Sequence, residues 1–385
     1  MSSSRDPGAG RVLPGRVAVV GGGLIGGSLA AACRRAGVGE VVLTDRDPQV
    51  RRRAGERGLA DRIAGDVAEA VADADLVVLA VPAHVVPEVA LTAAASAPTG
   101  AILTDVASLK SNLTVDVESR LRLSGLDPSR FVGGHPMAGS EHSGPDAADP
   151  TLFQGATWIL TPTAVTGTAA VQVVSGLLRG IGARVLALAP QRHDELVALV
   201  SHLPHLAAST LADVAGEASA AAGEVVLAIA GGGFRDTTRV AASDAALWRG
   251  ILTGNRAAVL AALERYRDRL SEVHDALARG DDDRLETVLA RASEARRRMV
   301  PKATDEDVVD VVVALDDRPG TLAVATTALG EAGINVEDLA MRHAVDGQRG
   351  ALLVRVAGGV RERALQVLSA QGLAVHVESE GAAES

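Results

Sequence analysis

Between residues 16 and 190, short runs that are apolar at nearly every position alternate with longer Ala-rich stretches patterned as amphipathic helices. The runs RVAVVG (16–21), EVVLTD (40–45), ADLVVLAV (74–81), AILTDV (101–106), RFVGG (130–134) and TWILTP (157–162) predict strands. A strand without alternation has both faces covered, and strands separated by helices run parallel. The region therefore predicts an α/β domain with a doubly wound parallel sheet over 15–190. From 191 to 300 the β-rich runs stop and the pattern becomes helical. Val259, Leu263, Tyr266, Leu270, Val273 and Leu277 make an unbroken apolar seam at helical spacing. The seam fits a bundle helix packed within one chain or a homodimer interface, and the dimer is the preferred reading. The polar stretch PKATDED (301–307) predicts a linker. After it, 308–380 returns to the order β-α-β-β-α-β, which suggests a ferredoxin-like sandwich. The first 14 residues predict a disordered tail without the apolar core of a signal peptide.

Composition narrows this picture. Aromatic residues make up 2% of the chain against 47% hydrophobic, so the core is built from Ala, Val, Leu and Ile. The single cysteine, Cys33, excludes an internal disulfide and fits a reducing, cytoplasmic setting. A net charge of −10 and the lack of a basic segment interleaved with aromatics exclude nucleic acid as the expected partner. The longest apolar region, 76–98, is broken by Pro82, His84, Pro87, Glu88 and Pro98, which fits strand plus helix rather than a membrane span. Lysine occurs only at Lys110 and Lys302 in a chain otherwise supplied with arginine, so Lys110 stands out.

The first strand runs into Gly21-x-Gly23-x-x-Gly26, which opens a helix. Gly21 suits a tight turn, Gly23 lets amides approach a pyrophosphate, and Gly26 lets helix and strand pack closely. Leu24 and Ile25 lie between them at the helix start, where the dipole favours an anion. Asp45 ends the second strand, about 20 residues on, where a carboxylate binds ribose hydroxyls and repels a 2′-phosphate. This constellation predicts NAD over NADP, a preference that the adjacent Arg46 could soften.

His135 sits in VGGHPMAGSE, after a predicted strand, between a glycine pair and Pro136. That end of a doubly wound sheet is where ligands collect, and an imidazole there suits general-base work near neutral pH. Gly133 and Gly134 are expected to leave room for a nicotinamide or substrate. Ser108, in DVASLKSN, could bond His135 and fix its tautomer or cap the following helix. His193, His202 and His205 cluster in QRHDELVALVSHLPH. Gly231 to Gly233 break a helical region, pointing to a built loop before Asp236, Arg239 and Trp248. The i, i+3 pair His202/His205 raises a metal site, but without HExxH or cysteine partners no metal is expected.

Taken together, GGGLIGGSLA, DVASLK, GGHPMAGSE, SHLPH and GGGFRDTTRVAASDAALWR resemble the prephenate/arogenate dehydrogenase family over nearly the whole chain from about residue 15. The resemblance implies a Rossmann-type domain, a helical dimerisation domain, and NAD-linked oxidative decarboxylation of a cyclohexadienol. It implies that His135 accepts the ring hydroxyl proton, that Ser108 hydrogen-bonds hydroxyl and histidine, and that Arg239 and His205 bind substrate. His193 would then support them, Asp236 and Trp248 shape the pocket, and Glu141 gate it. LDDRPGTLAVATTALGEAGINVEDLAM resembles an ACT domain, implying feedback by an amino acid such as tyrosine. The expected substrate is prephenate, with arogenate as the alternative. The rivals are another ACT-tailed dehydrogenase and a non-catalytic NAD and amino-acid sensor.

Overall fold

The computed structural model describes residues 13–139, 142–223, 225–298, 308–316, 321–336, 338–343 and 349–377. Nearly all of the predicted tail, the linker and the DRPG turn lie outside them. The chain forms two compact units. One contains the residues up to His193 with those from Val309 onward, and the other runs Asp194–Val308.

The first unit holds an eight-stranded sheet made of β1 (Arg16–Val20), β2 (Glu40–Thr44), β3 (Arg62–Ile63), β4 (Leu76–Leu79), β5 (Ile102–Asp105), β6 (Phe131–Pro136), β7 (Thr157–Thr161) and β8 (Arg184–Ala187). Its order is β3-β2-β1-β4-β5-β6-β7-β8. Pairing is parallel from β3 through to β6. Alternate residues of one strand enter different cores. Val17, Val19, Leu76 and Val78 pack with helices Leu24–Ala36 and Thr168–Gly180. Ala18, Val20, Val77 and Leu79 pack with helices Val86–Ser96 and Ser111–Leu123. Burial on both faces explains why these strands read as continuous apolar runs.

Two expectations need correction. β7 pairs antiparallel with β6, and β8 then runs parallel to β7. Among the described residues the β6–β7 connection carries no α-helix of the kind that usually returns a strand in the same direction. β3 and β8 were not predicted: β3 has only two residues, and β8, at the edge of the sheet, is buried only at alternate positions instead of along its whole length.

The C-terminal part forms a separate four-stranded sheet from β9 (Val308–Asp316), β10 (Asp338–His343), β11 (Arg349–Ala357) and β12 (Ala374–Val377), in the order β10-β11-β9-β12. Helices Thr321–Glu331 and Arg361–Ala370 join β9 to β10 and β11 to β12. Val311, Val313, Leu352 and Val354 pack in one core with Leu322, Leu329, Ala364 and Leu368 of those helices.

The second unit is helical. Its longest helices are Leu203–Ala222, Arg256–Arg279 and Asp282–Arg298. Glu272 joins the last two by accepting from Arg284 at 2.6 Å and Arg291 at 3.0 Å. No helix among the described residues is long and apolar enough to cross a membrane.

Candidate active site

The carboxyl ends of β1, β2, β4, β5 and β6 share one edge, because these strands are parallel. At β1 the chain enters the glycine turn. Gly21 has φ +107°, and a Cβ there would lie 2.2 Å from the carbonyl oxygen of Ala80. A Cβ on Gly26 would lie 1.9 Å from the carbonyl oxygen of Gly21. At Gly23 nothing stands within 4 Å of the added carbon. The outer two glycines therefore let the chain pack on itself, whereas the middle one faces open space. Gly23 is also the N-cap of helix Leu24–Ala36 and supplies no side-chain acceptor, so the first-turn amides remain available to an anion. Asp45 reaches this turn: its Oδ2 accepts from the Gly22 N–H at 2.7 Å and its Oδ1 from the Asp47 N–H at 2.9 Å. Each oxygen keeps further acceptor capacity, as a ribose diol requires. The residues fit a dinucleotide. Gly22, whose amide holds the carboxylate, was missed because GxGxxG leaves that position unspecified.

At β6 the expectation that the strand ends before His135 is corrected. His135 pairs with Ile159 and Pro136 with Trp158, both on β7. The last β5–β6 pair is Thr104 with Val132, so β6 leaves β5 and continues against β7. His135 is buried, and its Nδ1 lies 2.8 Å from Nε2 of the fully buried His193 on helix Pro190–Val197. The rings meet edge-on at a centroid distance of 5.0 Å. The pair spans 58 residues of sequence. Ser108 is half-buried beyond β5, and its hydroxyl forms no hydrogen bond among the described residues. Nor does it cap helix Ser111–Leu123, whose N-cap is Lys110. Gly133 and Gly134 do not hold space for a ligand. A Cβ at Gly133 would lie 2.4 Å from Thr161 Oγ1, and one at Gly134 2.7 Å from the carbonyl oxygen of Asp105. They make room for neighbouring strands.

In the helical unit, residues 198–202 form a π turn in which the Leu203 N–H donates to the Ala198 carbonyl. Pro204 follows, and its missing N–H leaves the Val200 carbonyl without the usual helical donor. His205 stacks on Trp248 at 3.5 Å with the ring planes 5° apart, and His202 meets the same ring edge-on at 6.1 Å. His205 is buried, its Nδ1 has no hydrogen-bond partner, and burial pushes its pKa below the usual histidine value. Asn255, which the sequence reading missed, donates to the Asp194 carbonyl at 2.7 Å and lies 3.3 Å from His202 Nδ1. Gly231 caps the short helix Gly232–Thr238, so the glycine triplet starts a helix rather than a loop. Asp236 and Arg239 are exposed, Arg239 on a 3-10 turn. Glu141 lies outside the described residues.

Comparison with known proteins agrees with this geometry. The profile of the prephenate dehydrogenase nucleotide-binding domain matches residues 29–187, and that of the prephenate dehydrogenase dimerization domain matches 189–291. The cyclohexadienyl dehydrogenase of Zymomonas mobilis is 34% identical over 76% of this chain and 97% of its own. The prephenate dehydrogenase of Aquifex aeolicus, solved with hydroxyphenyl propionate and NAD+, superposes with a TM-score of 0.68 at 32% identity, covering 74% of this chain and 98% of that one. The arogenate dehydrogenase of Synechocystis superposes with a TM-score of 0.64 at 30% identity, covering 74% of this chain and 100% of its own. The chain belongs to the prephenate dehydrogenase family.

Proposed function

We propose that this protein is an NAD-dependent dehydrogenase that converts prephenate to 4-hydroxyphenylpyruvate and carbon dioxide. The observation that carries this reading is the buried His135–His193 hydrogen bond, at the sheet edge that also bears the glycine turn and Asp45. To accept a proton at Nε2, His135 must hold its own proton on Nδ1, and His193 Nε2 accepts that proton as a hydrogen bond. His193 thus fixes the tautomer, a role the sequence reading offered to Ser108. The imidazolium formed when the ring hydroxyl gives up its proton keeps that hydrogen bond, which strengthens with the charge. Gly21, Gly23, Leu24, Ile25, Gly26 and Asp45 would hold NAD, which accepts the hydride when bound. Ser108 would donate to the substrate oxygen. Loss of the ring carboxylate makes the product aromatic, so the protein's task is orientation.

Substrate carboxylate binding falls to Arg239, whose guanidinium gives a two-pronged contact, and to His205, whose buried Nδ1 awaits a partner. Asp236, Trp248 and Glu141 would complete the substrate residues. Arogenate, which carries an amino group in place of the side-chain keto group, is the second reading, favoured by the likeness to the Synechocystis enzyme. The C-terminal β-α-β-β-α-β order supports a ferredoxin-like ACT module. Its β10 lies beside β8, and the chain leaving β8 leads into the helix of His193. Tyrosine acting there would be felt at the base. The helical unit would form a homodimer, and the buried single cysteine agrees with a cytoplasmic enzyme.

NADH formation with prephenate and with arogenate, each with and without tyrosine, tests the reaction, its substrate and its feedback control. Prephenate should support turnover and tyrosine should slow it. A protein that binds NAD yet reduces it with neither substrate would leave the sensor reading standing.

A further inference from the structure

We propose that Asp105 and Lys110, ion-paired and sealed from solvent at the end of β5, are positioning residues that set His135 and Ser108 for the reaction. Both side chains are 0% exposed. One carboxylate gathers three donors. Its Oδ1 accepts the Gly134 N–H at 3.1 Å, and its Oδ2 accepts the Ala107 N–H at 2.9 Å and the Lys110 ammonium. Gly134 immediately precedes His135, and Ala107 immediately precedes Ser108. The same group therefore grips the backbone one residue before each of the two side chains assigned to the substrate hydroxyl.

The sheet gives a reason for such a clamp. The β5–β6 ladder stops at Thr104 and Val132, and β6 then turns to β7. Beyond that point no further strand pairing fixes β6 against β5, and Asp105 supplies the link. The glycine pair belongs to the same device. A Cβ at Gly133 would come within 3.2 Å of Lys110 Cδ, so the glycine leaves space for the lysine stem. A buried ion pair adds little stability over apolar side chains of equal volume, because desolvation offsets the attraction. What it supplies is direction, since both charged ends are fixed by hydrogen bonds.

This inference rests on the reading of His135 as the base, so the unaltered protein is assayed first. If it turns over neither prephenate nor arogenate, that reading fails. Given turnover, two variants test the clamp. The double variant Asp105→Asn, Lys110→Met removes both charges of the pair together. Asp105→Glu keeps the ion pair but pushes the carboxylate outward by one methylene. In each variant that melts near the parent temperature, kcat should fall by about tenfold or more, while KM and the NAD Kd change by less than about threefold. A folded variant with parental kcat overturns the proposal. So does failure of both variants to fold, because the pair would then serve the fold and not the geometry of the base.

Discussion

In the proposed mechanism, proton transfer turns on one bond, the 2.8 Å contact between His135 and His193. Replacing His135 by Asn removes the base but keeps a polar side chain. It should lower kcat on the order of 10³-fold while NAD affinity, set at Gly21–Gly26 and Asp45, stays near parental. Replacing His193 by Phe keeps the ring volume and frees the His135 tautomer. It should lower kcat by roughly ten- to a hundredfold with KM little changed, as steady-state kinetics would show. The placement of His135 near the carboxyl end of β6 was legible because a histidine beside a predicted strand end falls at the ligand edge of such a sheet. Its partner was not legible as such, because nothing in the sequence says that residues 58 apart will touch. His205 adds a pH effect. Burial lowers its folded pKa below the ordinary 6.5 that it regains on unfolding. The unfolded chain then binds more protons below that value. The stability due to keeping His205 neutral is complete above pH 6.5 and is lost as pH falls through the depressed folded value. The melting temperature should therefore drop on acidification below pH 6.5, and His205→Gln should flatten that part of the curve. An unchanged slope in the variant would remove His205 from the account.

Elements were legible where their pattern was long and locally consistent. The glycine turn, the apolar strands β1, β2, β4 and β5 and the long helices all follow from spacing. What stayed hidden depends on contacts distant in sequence: the reversal of β7, the continuation of β6 through His135, and the packing role of Gly133 and Gly134. The π turn at 198–202 is a third kind of case, because its cause is printed in the sequence as Pro204 yet reads simply as helix. Pro204→Ala restores an N–H that can donate to Val200 and lets the segment relax to an α-helix. That change rotates His202 and His205 relative to Trp248, on which His205 now stacks at 3.5 Å. The expected outcome is a KM for prephenate raised on the order of tenfold with NAD affinity unchanged, together with altered tryptophan fluorescence. Unaltered KM and emission would show that the π turn does not set the histidines.

At the scale of the molecule the helical unit exposes apolar side chains that a lone chain has no reason to expose. The seam on helix Arg256–Arg279 divides in two. Val259 is buried, and Leu263 packs with the same cluster as Leu199, Leu203 and Leu206, as the in-chain reading requires. Further along, Leu270 is 52% and Leu277 63% exposed, and Ile229 elsewhere in the unit is 77% exposed. The in-chain reading therefore holds over the first half of the helix and leaves only the second half to the dimer reading, a division that periodicity alone could not make. Apolar surface of this kind marks an interface, and the second half of the seam is offered here as part of a homodimer contact. In a two-fold dimer every substitution counts twice. Leu270→Asp with Leu277→Asp then removes the burial of the exposed halves of four leucines, roughly 3–7 kcal/mol of association energy, and puts four carboxylates in the contact. A dimer held by about 12 kcal/mol, in the nanomolar range, would be monomeric at micromolar concentration after such a loss. Sedimentation velocity on the parent should show a dimer and on the double variant a monomer with its helical circular dichroism intact. A double variant that still sediments as a dimer would move the interface off this helix.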